Sequence, residues 1–423
     1  MIKIPRTAFR WSFLWGCQLI FLFSKCHAPV PMDFLLENGQ VLHHIQLTYL
    51  GDIQEGNLPE MERLVNSADN MLNEGPYSVT KKSAPPPSGD IHDYTSMGPY
   101  WWPDPEKEDG LPYIRRDGEV NPESRTYTDK EELGSLMSAL PVLAEAYFFT
   151  GEERYAEHCA KLVRAWFLDA STKMNPNLNF AQRIPGRTEG RGIGIIDTRK
   201  FAHLPDIVTM ISPSMHWKKE DQEGLEAWLK EYLDWLVNSE HGQDEAVHGN
   251  NHTTWYFAQA IPLSIFVGND NRADSLAEAG IPLILEEMIE EDGSQPKELA
   301  RTRSWDYSAM NLAGITTFAL GLEELGKPVW EYQNEKGASI RDALEFLIPY
   351  TQGQKAWEYE QINEIDFSKL KFSLHVAAIA YENPDYQDLA NSLKGEDGGS
   401  VFVYRNLLNP SEVMTISNYA AHF

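Results

Sequence analysis

Apolar positions along most of this chain recur at the three-and-four spacing of amphipathic helices. Leu136, Leu140, Leu143 and Tyr147 share one face, and Tyr155, Cys159, Leu162, Val163 and Trp166 share another. Leu225, Trp228, Leu229, Tyr232, Trp235 and Leu236 form a continuous stripe. The same periodicity predicts helices over about 56–74, 252–266, 273–290, 308–325, 338–350, 368–381 and 385–394. Strand-like alternation is scarce before Val401-Phe402-Val403-Tyr404. Serial helices with short turns, and no alternation of strand and helix signals, predict an all-α architecture of stacked hairpins. No strict solenoid repeat is present. No Pro/Ser-rich linker divides the chain, so one domain over 29–423 is expected.

Three stretches break the pattern: a loop at 82–90 and two long irregular segments, 91–125 and 170–200. In a helical protein such segments often serve as lids or binding loops. The N-terminus breaks it differently. Lys3, Arg6 and Arg10 precede an apolar run from Trp11 to Phe23, followed by Cys26-His27-Ala28. This reads as an export signal over 1–28, too short to span a membrane. Cleavage near Ala28 is the expectation, with a periplasmic or secreted product. Lipidation at Cys26 is the alternative, and the adjacent Lys25 argues against it. The mature chain keeps Cys159 alone of the three cysteines, and its apolar surroundings predict a buried, inert thiol.

Charge narrows the partners. The net charge is −27, with 36 basic and 63 acidic residues, and the signal removes four basic ones. So acidic a chain disfavours nucleic acid and anionic membranes, and no stable membrane insertion is expected once the signal is gone. An anionic polymer needs a locally basic cleft, which makes the few arginines informative.

Two polar clusters stand against the apolar helices. The first is Gly249-Asn250-Asn251-His252 before Thr253-Thr254-Trp255-Tyr256, and the second runs Glu298-Leu299-Ala300-Arg301-Thr302-Arg303 to Asp306-Tyr307. An amide, an imidazole, a guanidinium and a phenol brought together suit removal of a proton beside a carboxylate. The plainer reading of Asn250-Asn251 is a helix N-cap, of Arg301 a surface arginine, and of Tyr307 a core side chain. His241 and His248 lie near His252, yet no helical His pair or Cys set supports a metal, and no cofactor is expected. Tyr94, Trp101 and Trp102 in the segment 93–104 suggest an aromatic wall for sugar rings, or a Pro-rich loop pinned to the core by its aromatics. Asn177, Gln182 and Arg191 in the Gly-rich segment 174–197 can bind hydroxyls and carboxylates. That segment has neither the preceding strand nor the spacing of a dinucleotide or P-loop motif.

At this point the chain resembles the alginate-lyase superfamily of polysaccharide lyases. The matching pieces are Gly98-Pro99-Tyr100-Trp101-Trp102-Pro103-Asp104-Pro105, Gly110 to Gly118 with Asn121-Pro122, and Tyr147 to Gly151. Trp166 to Asp169, Met174 to Asn177, Gly192 to Asp197, Asn250-Asn251-His252, and Glu298 to Arg301 with Tyr307 follow in order. The resemblance implies an incomplete (α/α) toroid of six or seven helical hairpins around a cleft. It also implies β-elimination of a 4-linked anionic polyuronate, polymannuronate or glucuronan first among them. On the matching positions it makes Asn251, His252, Arg301 and Tyr307 catalytic. Asn250, Trp255 and Arg303 join the sugar contacts already named. The Arg301-to-Tyr307 spacing is one residue shorter than in the better-known members, which leaves Arg303 as the alternative arginine.

In that chemistry Asn251 and His252 neutralise the C6 carboxylate while the C5 proton leaves. A free tyrosine titrates at about 10, so Tyr307 as base requires a lowered value, which a neighbouring Arg301 favours. Where the C5 hydrogen and O4 share a face, as in mannuronate, one tyrosine can act as base and then acid. Where they are opposed, as in guluronate, His252 is the base and Tyr307 the acid. Two rivals stand beside this reading: a non-catalytic glycan-binding protein, and a toroid glycoside hydrolase. The hydrolase needs two cleft carboxylates, with Asp197 and Asp306 as the pair to check.

Overall fold

The computed structural model describes residues 33–52, 59–395 and 402. The expected signal lies outside the described residues, as does the Val401–Tyr404 strand apart from Phe402. Among the described residues the chain forms fourteen α-helices. They are α1 (Gly39–Asp52), α2 (Pro59–Met71), α3 (Asp129–Thr150), α4 (Glu153–Val163), α5 (Leu204–Ile211), α6 (Lys219–Asn238) and α7 (Glu240–Ala246), then α8 (Asn251–Phe266), α9 (Asp270–Ile281), α10 (Pro296–Leu299), α11 (Ser304–Glu324), α12 (Ile340–Thr351), α13 (Lys371–Ala380) and α14 (Pro384–Ser392). They pack as successive neighbours into the incomplete (α/α) toroid, with α3 against α4, α8 against α9, and α13 against α14.

Two amphipathic stripes read from the sequence face the core as predicted. Tyr155, Cys159, Leu162 and Val163 of α4 are fully buried, as are Leu225, Leu229, Tyr232, Leu233 and Leu236 of α6. Burial pushes the Cys159 thiol far up, so it stays a neutral, inert group. The central helices α3, α8 and α11 are apolar on nearly every side, the signature of a helix surrounded by protein. α3 is apolar enough to cross a membrane by composition, yet 78% of its most apolar window is buried in the fold. The predicted helix at 273–290 ends earlier, at Ile281, because Pro282 opens a short π-helical turn.

What positions the cleft is the pairing of α8 with α11. Gly314 leaves room for Thr254 and Trp255, and Gly321 for Ile261 and Pro262. A side chain on Gly314 would stand 2.8 Å from Thr254 Cγ2. Both helices therefore run the same way in close contact, and their N-termini meet at one end. Residues Gly192–His203, a long 3-10 helix, pack along α8 on another side. Its period of three buries Ile195, Thr198 and Phe201, while Ile193, Ile196 and Arg199 line the cleft.

The irregular segments fold over this end as four short strands. β1 (Thr95–Met97) pairs parallel with β4 (Phe180–Arg183), and β2 (Trp101–Trp102) pairs antiparallel with β3 (Ile114–Arg115). The buried Asp129 carboxylate anchors β1 by accepting from Thr95 N at 2.9 Å and Lys82 Nζ at 2.8 Å.

Candidate active site

The cleft is a cavity of about 610 Å³. Its walls come from the N-termini of α8 and α11, the 3-10 helix at 192–203 and the β2–β3 hairpin. Eight lysines and arginines line it against two aspartates, in a chain whose net charge is −27. Three of these cations are Arg191, Arg199 and Arg301. The local field is thus opposite in sign to the surface, and field lines focus into such a cleft.

The start of α8 builds the first wall. Gly249 takes a positive φ of 81°, and Asn250 then caps the helix by accepting from His252 N at 3.0 Å. Asn251 is fully buried and clamped on Glu298. Its backbone N–H donates to Oε1 at 2.7 Å and its Nδ2 to Oε2 at 2.8 Å. The second hydrogen on Nδ2 remains, and Oδ1 is buried without a protein partner. Burial pushes the Glu298 carboxyl up, while the Asn251 donors and Arg301 pull it back down. His252 Nδ1 lies 2.9 Å from Oε1 of the fully buried Glu245. With Glu245 ionised, Nδ1 carries the proton and Nε2 is left as the basic nitrogen. Nε2 has no protein partner among the described residues. The Glu245 carboxyl is pushed up by burial, against the pull of His252.

The start of α11 and the hairpin build the second wall. The Arg301 guanidinium lies 3.8 Å from the centroid of the Tyr307 ring. Its Nη2 and Nε donate to the two oxygens of Asp117, at 2.8 and 3.1 Å. Tyr307 Oη donates to Tyr100 Oη at 2.8 Å. Burial raises the Tyr307 phenol well above its usual value; Tyr100 adds to this and Arg301 opposes it. The lowered value expected from Arg301 is therefore not what this environment gives. Burial outweighs a guanidinium whose charge Asp117 already balances, so Tyr307 rests as the neutral phenol.

Of the two candidate arginines, Arg301 stacks on Tyr307. Arg303 instead turns to Asp306, donating from Nη2 at 2.6 Å and Nε at 3.0 Å. Gln182, Arg191 and Trp101 line the cleft as expected. Gln182 sits at a φ of 48°, unusual for a side-chain-bearing residue, and accepts from Arg191 through both its backbone oxygen and Oε1, each at 3.0 Å. Burial lowers the Arg191 guanidinium to about 10, with Arg115 pushing the same way, so it stays charged at neutral pH. Gly98 lets Trp101 and Arg191 meet, since a Cβ there would lie 2.7 and 2.8 Å from them. Trp255 also lines the cleft, its Nε1 donating to Met310 O at 3.2 Å.

Three expected sugar contacts fall elsewhere. Tyr94 is fully buried in the core, its hydroxyl donating to Asp197 at 3.2 Å. Trp102 turns away from the cleft on the two-residue strand β2, where successive side chains point to opposite faces, and donates to Glu119 O at 3.0 Å. Asn177 lies outside the cleft lining, near Asp93. The hydrolase pair also fails. Asp197 is held by Lys130 at 2.9 Å and by Ser96 Oγ at 2.7 Å, and Asp306 by Arg303 and by Lys369 at 2.6 Å. Burial works to raise the Asp197 carboxyl, but Lys130 and the hydroxyl donors win and hold it below its usual value, the reverse of a general acid.

Sequence reasoning missed Tyr100, Asp117, Glu245 and Glu298 as partners of the four central residues. Tyr100, Asp117 and Glu298 stand inside stretches already singled out, but nothing in a linear pattern pairs them with residues up to 207 positions away. Glu245 carried no signal at all. His248 stands 5.2 Å from the His252 ring, and no group of potential metal ligands occurs among the described residues.

A helical toroid around a basic, phenol-bearing cleft defines the class as a polysaccharide lyase. The chain belongs to the alginate lyase family, whose profile matches residues 78–357. It is similar in structure to an alginate lyase from Bacteroides ovatus, with 32% identity and a TM-score of 0.81, covering 90% of this chain and 99% of that one. Two variants of alginate lyase A1-III complexed with tetrasaccharide share the fold. The histidine-to-alanine variant has 15% identity and a TM-score of 0.52, covering 83% of this chain and 89% of that one. The tyrosine-to-phenylalanine variant has 14% identity and a TM-score of 0.51, covering 81% and 89%. No curated protein sequence matches the chain significantly.

Proposed function

We propose that this protein cleaves a 4-linked polyuronate of the alginate type by β-elimination, after export from the cytoplasm. The observation that carries the reading is the basic cleft in an acidic chain, with His252 and Tyr307 both on its walls. The alginate lyases it resembles, one of them 32% identical, support the substrate class.

The substrate carboxylate sits against the free N–H of Asn251, a donor placed where charge develops as the C5 proton leaves, with Nε2 of His252 on the same wall. The electron pair of the C5–H bond becomes the C4–C5 double bond, and the C4–O4 bond breaks. Tyr307 gives the departing O4 its proton, since the phenol is its resting form. For guluronate, with C5 hydrogen and O4 on opposite faces, Nε2 of His252 takes the C5 proton. Mannuronate and glucuronate differ only at C2 and share the same-face geometry, so Tyr307 must give up its own proton before it can take one. Both remain substrates in this reading, with their cleavage displaced to more alkaline pH than that of guluronan.

Product analysis tests the reaction type. Elimination leaves an unsaturated, ultraviolet-absorbing end, and each product carrying that end is lighter by one water than the corresponding hydrolysis product. Hydrolysis-type masses, or bound polymer left intact, contradict the proposal.

A further inference from the structure

The β2–β3 hairpin reaches the catalytic groups through one carboxylate. Asp117 holds both Nη2 and Nε of Arg301, accepts from Thr302 Oγ1 at 3.0 Å, and pairs with Arg115 Nη2 at 2.6 Å. Asp117 and Arg301 are 184 positions apart in sequence. The next residue, Gly118, has a φ of 76°, and a Cβ there would stand 2.5 Å from Thr302 Oγ1 and 2.8 Å from Ile362 Cδ1. The turn that follows β3 is therefore pressed against the segment that carries Arg301. The guanidinium is fixed on one side by a two-pronged carboxylate and on the other by the Tyr307 ring at 3.8 Å. A flexible arginine is thereby reduced to one orientation.

Resting on the lyase reading above, we propose that Asp117 is a positioning residue that pins Arg301 flat against Tyr307 and meters how much of its positive charge the phenol feels. Asp117 does not touch the reacting atoms. It acts on Tyr307 through Arg301, and it opposes the guanidinium electrostatically. The environment of each group agrees with this. Burial works to raise the Asp117 carboxyl, yet Arg301, Arg115 and Thr302 hold it far below its usual range. Burial and Tyr100 raise the Tyr307 phenol, Arg301 lowers it, and Asp117 raises it again. The charged and titratable groups that share the cleft with this phenol include Tyr100 and Arg115 from the hairpin segment, Arg301 and Arg303 before α11, and Asp306 on α11 itself. His252 from α8 and Lys369 from the 3-10 turn before α13 join them, and Lys130, Arg191, Asp197, Arg199, Lys200, His203 and His248 line the rest of the cleft. Of these, Arg301 is the one stacked on the ring, and Asp117 holds it through two hydrogen bonds while also pairing with Arg115.

The sign follows. Removing the Asp117 charge exposes the phenol to the full guanidinium, which favours the phenolate, so Tyr307 titrates at lower pH. The test is the pH profile of kcat/KM on whichever polyuronate the unaltered protein cleaves. Asp117→Asn is expected to move the limb belonging to Tyr307 down by roughly one pH unit. Asp117→Glu, which keeps the charge, restores the original limb. Arg115→Gln frees more of the Asp117 charge for Arg301 and moves the limb upward; it supplies the readout if Asp117→Asn does not fold. A folded Asp117→Asn protein that is slower but has an unmoved limb reduces Asp117 to a structural contact and overturns the inference. So does an unmoved limb in Arg115→Gln. Inactivity of the unaltered protein on every polyuronate instead overturns the lyase reading, and the two failures are distinct.

Discussion

On the wall formed by α8, the candidate groups sit at the helix start and their supports come from the neighbouring helices α7 and α10. Asn251 and His252 follow their own N-cap, and the supporting Glu245 and Glu298 lie 7 and 47 positions away. On the wall formed by α11, the supports come from the far end of the chain. Tyr100 reaches Tyr307 across 207 positions and Asp117 reaches Arg301 across 184. The first wall is built by helix packing alone, since α7, α8 and α10 would place those carboxylates wherever the toroid closes. The second exists only while the β2–β3 hairpin is folded down. In the proposed mechanism, Asn251 and His252 are thus held by the core, and the proton donor Tyr307 with its Arg301 depends on a loop.

The largest effect is expected at the centre of the loop-dependent wall. Tyr307→Phe removes the proton donor to O4 and should lower kcat by roughly 10²–10⁴-fold, with polymer affinity close to that of the unaltered protein. Steady-state kinetics together with direct binding measures both, and robust turnover in that variant would remove Tyr307 from the mechanism. The matching change on the core-fixed wall is Glu245→Gln, which leaves His252 in place but takes away the carboxylate that orders its tautomer. A loss of roughly 10- to 100-fold in kcat is expected, as for outer partners of functional histidines elsewhere. The thermal midpoint should hold, because a neutral amide fills the same volume. A loss larger than that of Tyr307→Phe would invert the comparison. The smallest effect is expected for Tyr100→Phe, which deletes the acceptor of the Tyr307 hydroxyl without deleting the proton. About fivefold in kcat/KM corresponds to one ordinary hydrogen bond. A complete loss would make Tyr100 a reacting group rather than a partner.

The same division explains what was legible in the sequence. The all-α architecture of stacked hairpins followed from helical periodicity, because apolar stripes such as Leu225 to Leu236 leave little choice of face; the toroid followed from the family resemblance. Asn251 and His252 were legible because a cap motif before an aromatic helix is a local signal. Arg301 and Tyr307 were legible as types, and of the two candidate arginines it is Arg301 that packs on the ring. The pKa of Tyr307 was misjudged because the sequence shows the favourable guanidinium but not the burial or the Asp117 that offsets it. Tyr94 and Trp102 were misplaced for a related reason. In an irregular aromatic segment, composition does not say which ring enters the core and which the cleft; the pairing of β1 with β4 and β2 with β3 decides it.

The most direct test is ultraviolet absorbance of the C4–C5 double bond, followed over pH with polymannuronate, polyguluronate and glucuronan side by side. The account predicts a rise with at least one polymer, and an alkaline displacement of the mannuronan and glucuronan profiles relative to that of guluronan. No rise with any of the three, at any pH, with the protein folded and the polymers intact, would contradict it.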